Sequence, residues 1–354
     1  TGYRKHPPPR GSPGGGRLYA RLSRLSLPKS ENDMVASLLD EEPTSVPALD
    51  IVVEDFELRG KSFGRIEVDA VNRGRREGRP EWRLNRLVIT TAEARLVATG
   101  SWAATDGASP RRRMAMDFEL ELLDSGKLLE RLGSGGTLRG GKGKMAGEVS
   151  WLGSPLSIDY PSLAGAVHLA IDSGQFLKAE PGAARLLSVL SLQSLPRRLA
   201  LDFRDVFQEG FAFDNVTGDA TIEQGVASTN NLRMRGVQAA VLMEGSADIA
   251  RETQNLRVIV VPEINAGTAS LAYAVINPAV GLATFLAQAL LRKPMIEAGT
   301  REFRITGSWD EPKVERVDRT PAPSAAAASP PAAAPPAASS ASSPASTPTE
   351  GTRR

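Results

Sequence analysis

The sequence has no cysteine and only two histidines, His6 and His168, in 354 residues. The first absence excludes disulfides, thiolate metal sites and a cysteine nucleophile, and it suits a compartment in which stray thiols are oxidised. The second excludes a histidine metal cluster, and His168 falls on the polar side of an alternating run, where it reads as a solvent-facing side chain. Aromatic residues make up 5% of the chain and are not interleaved with its basic residues. With 43 basic and 41 acidic side chains, a net charge of +2, no global field argues for nucleic acid as a partner. No basic start, apolar stretch and small-residue cleavage site are present; the chain opens with Thr1 and reads as a fragment or a processed product.

What is present differs between the ends and the middle. Residues 319–354 are almost entirely Pro, Ala, Ser and Thr, which bury too little apolar surface to offset chain entropy, so a disordered tail is expected there. Residues 1–16 form a loop-like basic end with no acid before Glu31. Between them the dominant signal is a period of two. In "RMAMDFELEL" the residues Met114, Met116, Phe118, Leu120 and Leu122 share one side, and Arg113, Asp117, Glu119 and Glu121 the other. The same parity recurs at Ile66 and Val68 against Glu67 and Asp69, and at Val167, Leu169 and Ile171 against His168 and Asp172. These runs predict a mainly β protein with one polar face per strand, which favours antiparallel pairing.

A phrase is repeated. Thr99-Gly100-Ser101-Trp102 returns as Thr306-Gly307-Ser308-Trp309, and "LVITTAEARLVATGSW" from Leu87 aligns with "LRMRGVQAAVLMEGSA" from Leu232, with Gly100 matching Gly245. The unit reads as a hairpin used more than once, with Gly allowing close approach or a bulge and Trp supplying apolar area. Helices are few. Asp124 caps "SGKLLERL" and Gly133 stops it; "PGAARLLSVLSLQSLP" puts Leu186 and Leu190 on one stripe with Leu187 beside it. Many one-faced strands with little helix to cover them leave two outcomes, a sheet curled on a dry core or one that holds an apolar groove open.

Signs of catalysis fail on inspection. "GTLRGGKG", Gly136 to Gly143, resembles a phosphate loop but has Gly143 where Ser or Thr is required, and no helix is expected after Lys142. No set of nucleophile, base and orienting group emerges, so neither an enzyme nor a cofactor is expected. The most unusual stretch is Ile264 to Leu291, 28 residues without a charge, interrupted by Asn277-Pro278 and followed by Arg292 and Lys293. It reads as a helical hairpin over the end of the sheet, as a membrane-contacting element, or as a spanning helix; Leu282, Phe285, Leu286 and Leu290 with Arg292 and Lys293 are its candidate membrane contacts.

Long stretches resemble a known family. "SWLGSP", "PGAARLLSVLSLQSLPRRL", "FRDVFQEGFAFD" and the closing "TGSWDEP" are similar to the C-terminal region of the YhdP family, among the AsmA-like proteins of Gram-negative bacteria. The resemblance covers residues from about Arg17 to Val317. It implies an elongated, twisted antiparallel sheet curled into an apolar groove, with short helices near the C-terminal end. It also implies a periplasmic parent anchored in the inner membrane, whose groove carries phospholipid acyl chains towards the outer membrane. The expected organisation is a basic end over 1–16, a β-groove segment over 17–318 with an apolar element at 264–293, and the tail at 319–354. Expected groove residues are Leu96, Trp102, Met114, Met116, Phe118, Leu120, Val241 and Met243, with ordinary core packing as the alternative for each. The partner implied is phospholipid, with membrane contact at the C-terminal end and no nucleic acid; the alternative is a closed β-repeat scaffold of the envelope without a lipid ligand.

Overall fold

A computed structural model describes residues 4–6, 16–28, 46–76, 79–105, 111–133, 135–177, 210–237, 239–262 and 300–317. The expectations for Leu186, Leu187 and Leu190, and for Leu282, Phe285, Leu286, Leu290, Arg292 and Lys293, lie outside these residues. All described residues belong to the unit Thr1–Val317.

Strand follows strand in chain order. They are β1 (Arg4–His6), β2 (Arg17–Leu27), β3 (Ala48–Leu58), β4 (Lys61–Arg76), β5 (Arg79–Thr90), β6 (Ala94–Ala104) and β7 (Arg112–Leu122). After helix α1 (Ser125–Arg131) come β8 (Leu138–Gly140), β9 (Gly143–Leu152), β10 (Ala164–Phe176), β11 (Phe211–Glu223) and β12 (Val226–Gly236). The last four are β13 (Ala239–Asp248), β14 (Thr253–Pro262), β15 (Arg301–Ser308) and β16 (Pro312–Arg316). All lie in one sheet whose spatial order is the chain order, with β8 set aside to pair with the end of β10. β1 and β16 are the two ends of this order and do not pair with each other, so the sheet is twisted but unclosed, as the groove requires and the closed scaffold does not. Pairing is antiparallel as the alternation predicts, with one exception: β2 and β3 run parallel, Leu18 opposite Leu49. Chain-order adjacency does not fix direction where the connection, here residues 28–47, is too long for a tight hairpin.

The alternation sorts the two faces. On the outer face cross-strand ion pairs recur, such as Arg21 with Asp50 at 2.6 Å, Lys144 with Glu119 at 3.1 Å and Arg257 with Glu302 at 2.6 Å. The first two pairs are exposed and add little stability, whereas the Glu302 carboxylate is buried at 7% exposure; a charged outer face also makes a one-residue register slip costly, because the slip would turn those charges inward. Arg257 is held between Glu302 and Glu244, and the Glu302 hydrogen bond raises its pKa above the usual arginine value.

The repeated hairpin is a structural repeat. β5 carries one residue more than its neighbours across Asn85–Arg86, and β12 one more across Asn230–Asn231. In both, the bulge sits just before the aligned leucine, Leu87 or Leu232, and opposite the glycine-bearing strand, with Leu84 facing Gly100 and Thr229 facing Gly245. An asparagine ties each bulge to the preceding strand: Asn85 donates to Asp69 at 2.7 Å, and Asn231 donates to Asp219 at 2.6 Å. The bulges bend and twist the sheet at these two places. Glycine is needed at position 100 because a Cβ there would lie 2.4 Å from the Ala115 carbonyl oxygen. The later phrase differs: Trp102 lies within β6, whereas Trp309 falls one residue beyond β15, which ends at Ser308.

α1 forms as its caps predict. Asp124 accepts a hydrogen bond from the Lys127 backbone N–H at 3.0 Å, and Gly133, at φ 88°, ends the helix in the left-handed region. Arg131 closes this end of the sheet by a two-pronged pair with Glu93, at 2.8 and 2.9 Å. That bond is the main reason the Glu93 carboxyl is held below the usual carboxylate range. The glycine-rich turn that resembled a phosphate loop runs through Lys142 straight into β9, so no helix begins after the lysine; the N-terminus of α1 does meet the turn, but Ser125 donates both its backbone N–H and its hydroxyl to the Gly141 carbonyl, each at 2.8 Å.

Candidate functional site

The inner face is apolar from strand to strand, and the register shows it as rows running across the sheet. Trp82, Trp102, Met114 and Trp151 are successive partners on β5, β6, β7 and β9. The next rows are Leu84, Gly100, Met116 and Val149, then Leu87, Ala98, Phe118 and Gly147, then Ile89, Leu96, Leu120 and Met145. β10 continues them with Val167 opposite Gly147 and Leu169 opposite Met145. Strands with a period of two, paired without slippage from β6 to β10 and interrupted only by the bulge of β5, leave no polar side chain in this strip.

Cover differs across the strip. Its first margin is sealed: Trp82, Trp102, Met114 and Trp151 are buried, Trp102 to 1% exposure. The three indoles each donate to a backbone carbonyl, Trp82 to Pro47, Trp102 to Gly153 and Trp151 to Ser154, and so stay buried without an orphaned N–H. The opposite margin is sealed at Ala94 and Leu122. Between them Leu96, Met116, Phe118 and Leu120 are half-buried, as are Met145, Val149, Val167 and Leu169. Phe118 stands opposite Ala98 on one side and Gly147 on the other, so it rises between two positions with little or no side chain. The result is an apolar strip, the channel, of partly exposed side chains between packed margins; Leu84 and Ala98 within it are buried, and Met116, Val149 and Val167 pack against the cluster of the first margin. Covering such apolar surface is favourable by about 25 cal/mol for each Å².

Further along, the same face closes. Phe211, Phe213, Val216, Met234, Val241, Met243, Leu256, Val258, Phe303 and Ile305 form one buried cluster. The eight expected groove residues therefore divide. Leu96, Met116, Phe118 and Leu120 are neighbours in the half-buried channel, Trp102 and Met114 belong to its sealed margin, and Val241 and Met243 lie in the closed cluster. The expected set omits Met145, Val149 and Leu169, although "GKMAGEVSW" and "GAVHLAID" carry the same parity. Nothing in the channel is nucleophilic, and no group of acids and histidines able to hold a metal occurs among the described residues. His168 lies on the outer face, its Nδ1 2.7 Å from Asp219, a contact that with Asn231 holds the aspartate's pKa down. No helix among the described residues is long and apolar enough to cross a membrane.

Comparison with known proteins agrees with this geometry. The family model described as YhdP protein matches residues 7–314. The intermembrane phospholipid transporter YhdP of Escherichia coli (strain K12) is 30% identical over 263 residues, which is 74% of this chain and 20% of the transporter. This chain thus spans about a fifth of that relative's length. No solved structure matches it. A match over most of the chain, together with a mainly β sheet that stays open, shows that the chain belongs to the YhdP family.

Proposed function

We propose that this chain is a noncatalytic segment of a phospholipid conduit in the cell envelope, with acyl chains lying in the channel formed by the inner faces of β5 to β10. The observation that carries this reading is the row of half-buried apolar side chains, Leu96, Met116, Phe118 and Leu120, between two sealed margins. A dry core would bury them; a polar binding cleft would place hydrogen-bonding groups among them. The named activity of the E. coli relative, intermembrane phospholipid transport, points to the same cargo.

The mechanism is passive. Apolar side chains replace water around the tail while the headgroup remains in solvent, and flexible methionines, Met116 and Met145, adapt to a chain that has no fixed shape. No contact is directional, so none holds the lipid in one place. Direction, from the inner towards the outer membrane, belongs to the whole conduit.

The test has two arms. Lipid extracted from the purified chain is quantified by mass spectrometry, and a photoreactive amino acid at Phe118 or at the outer-face position Glu119 is irradiated. Phospholipid recovered above the level of an unrelated periplasmic protein and crosslinked from position 118 but not 119 is the expected result. Recovery at background, or equal crosslinking from both faces, would overturn the reading.

A further inference from the structure

One row of the inner face can be followed from the channel to the far end of the sheet. Beyond Leu84, Gly100, Met116 and Val149 its successive partners are Gly165, Ile222, Ala227, Ala247, Gln254 and Gly307, on β10 to β15. Apart from Ile222, which is buried in the cluster of the first margin, the row carries only hydrogen or methyl from β10 to β13. Gly165, Ala227 and Ala247 are half-buried, as the channel residues are, whereas Leu256, Val258 and Ile305 on the same face are enclosed. The row is thus a narrow apolar lane that prolongs the channel beside the closed cluster.

The lane ends on polar atoms. Gln254 has the parity of Leu256 and Val258, so it faces inward, and it is the first hydrogen-bonding side chain in the row. It is 5% exposed; its Nε2 donates to the Ser308 carbonyl at 3.4 Å, and its buried Oε1 has no hydrogen-bond partner among the described residues. The Trp309 backbone N–H donates to the Glu252 carbonyl at 2.8 Å, which extends the register of β14 and β15 by one residue. Trp309 thereby takes the parity of Ile305 and stands diagonally from Gln254, a spacing that aromatic and long side chains reach across. Its indole nitrogen is also buried without a partner among the described residues, whereas the indoles of Trp82, Trp102 and Trp151 each donate to a carbonyl. A buried acceptor and a buried donor are each costly unless met. A hydroxyl meets both, accepting from the indole and donating to the amide oxygen.

We propose that Gln254 and Trp309 form a binding site for the hydroxyl of a phospholipid headgroup, reached from the channel along this lane. The site rests on the reading of the channel as a path for phospholipid and adds a preference among headgroups to it. A lipid hydroxyl fits better than water because the apolar row leads to these two atoms without a polar side chain on the way, so a molecule with an apolar length and a hydroxyl at its end matches both parts. An ammonium headgroup donates to the Gln254 oxygen but cannot accept from the indole, so the pair discriminates where the channel does not.

The full chain is incubated with vesicles of equal phosphatidylethanolamine and phosphatidylglycerol and re-isolated, and its bound lipid is quantified by mass spectrometry. The expected result is about tenfold enrichment of phosphatidylglycerol, the effect of one or two satisfied hydrogen bonds. The enrichment should fall to the vesicle ratio in Gln254→Leu and in Trp309→Phe, with total bound lipid unchanged. Each substitution removes a buried polar atom that lacks a partner, so the melting temperature of the lipid-free chain should hold. A lower lipid-free melting temperature with an unaltered lipid ratio would make the pair structural and overturn the site. So would enrichment that persists when phosphatidylmethanol, equally anionic but without the hydroxyl, replaces phosphatidylglycerol, or enrichment lost in millimolar glycerol, which would indicate a free-polyol site. Lipid bound without enrichment overturns this site alone, whereas no bound lipid of either kind removes the channel and the site with it.

Discussion

Trp102 of β6 donates its indole N–H to the carbonyl of Gly153, 51 residues further along the chain, at 2.8 Å. The bond spans β7 and joins the sealed margin of the channel to the turn after β9. It lets a large ring be buried at 1% exposure without leaving a donor unsatisfied. Trp102→Phe should keep most of the apolar area but strand the Gly153 carbonyl and open a small void. A loss of about 1–3 kcal/mol in a urea unfolding experiment is expected. No change in midpoint would show that the indole N–H is dispensable.

Aspartate scanning of the inner face should give two classes. Met116→Asp and Phe118→Asp place a charge at half-buried positions and should retain the β-sheet spectrum and most of the melting temperature while lipid crosslinking is lost. Val241→Asp and Met243→Asp bury a charge in a closed cluster and should cost about 3 kcal/mol or more, enough to unfold a marginal domain. Unfolding by all four variants alike would mean that the channel is core.

The pair formed by Glu93 and Arg131 predicts an acid-sensitive end of the sheet. Arg131 lowers the Glu93 pKa in the folded state, so folded protein binds that proton less readily than unfolded protein. The resulting stability is fully present above the unfolded glutamate pKa of about 4.3 and is lost as pH falls through the lower folded value. Glu93→Gln should therefore lower stability at neutral pH and flatten this acid limb. An unaltered pH profile in the variant would assign the limb to other carboxylates.

Gly147 of β9 faces Phe118, and a Cβ there would meet the Ala166 carbonyl oxygen at 2.2 Å. Gly147→Val must push β10 away, with an expected cost of about 1–3 kcal/mol. Hydrogen exchange should show the loss of protection first in β9 and β10. Loss confined to a distant strand would contradict the register.

How far the sequence reveals all this depends on what alternation can encode. Parity in "RMAMDFELEL" states which side Met116 and Phe118 occupy, and the sheet agrees. It does not state what covers that side, which is why Met116 and Met243, alike in sequence, differ in the fold, one half-buried and one enclosed. Asp124 and Gly133 reveal α1 because capping is local. The bulges were half-legible: Gly100 and Gly245 mark the strand opposite, but the extra residue sits at Asn85–Arg86 and Asn230–Asn231, and only pairing exposes it.

The recurrence of one bulged hairpin at β5–β6 and β12–β13 has a consequence for how such a protein changes over generations. Because spatial order follows chain order, backbone pairing is almost entirely between chain neighbours, and duplicating a run of hairpins adds new rungs while leaving the existing pairing in place. The reach of the channel is then set by copy number. Under the proposed conduit function, length is gained by genetic duplication alone, while the chemistry of each rung stays as it was.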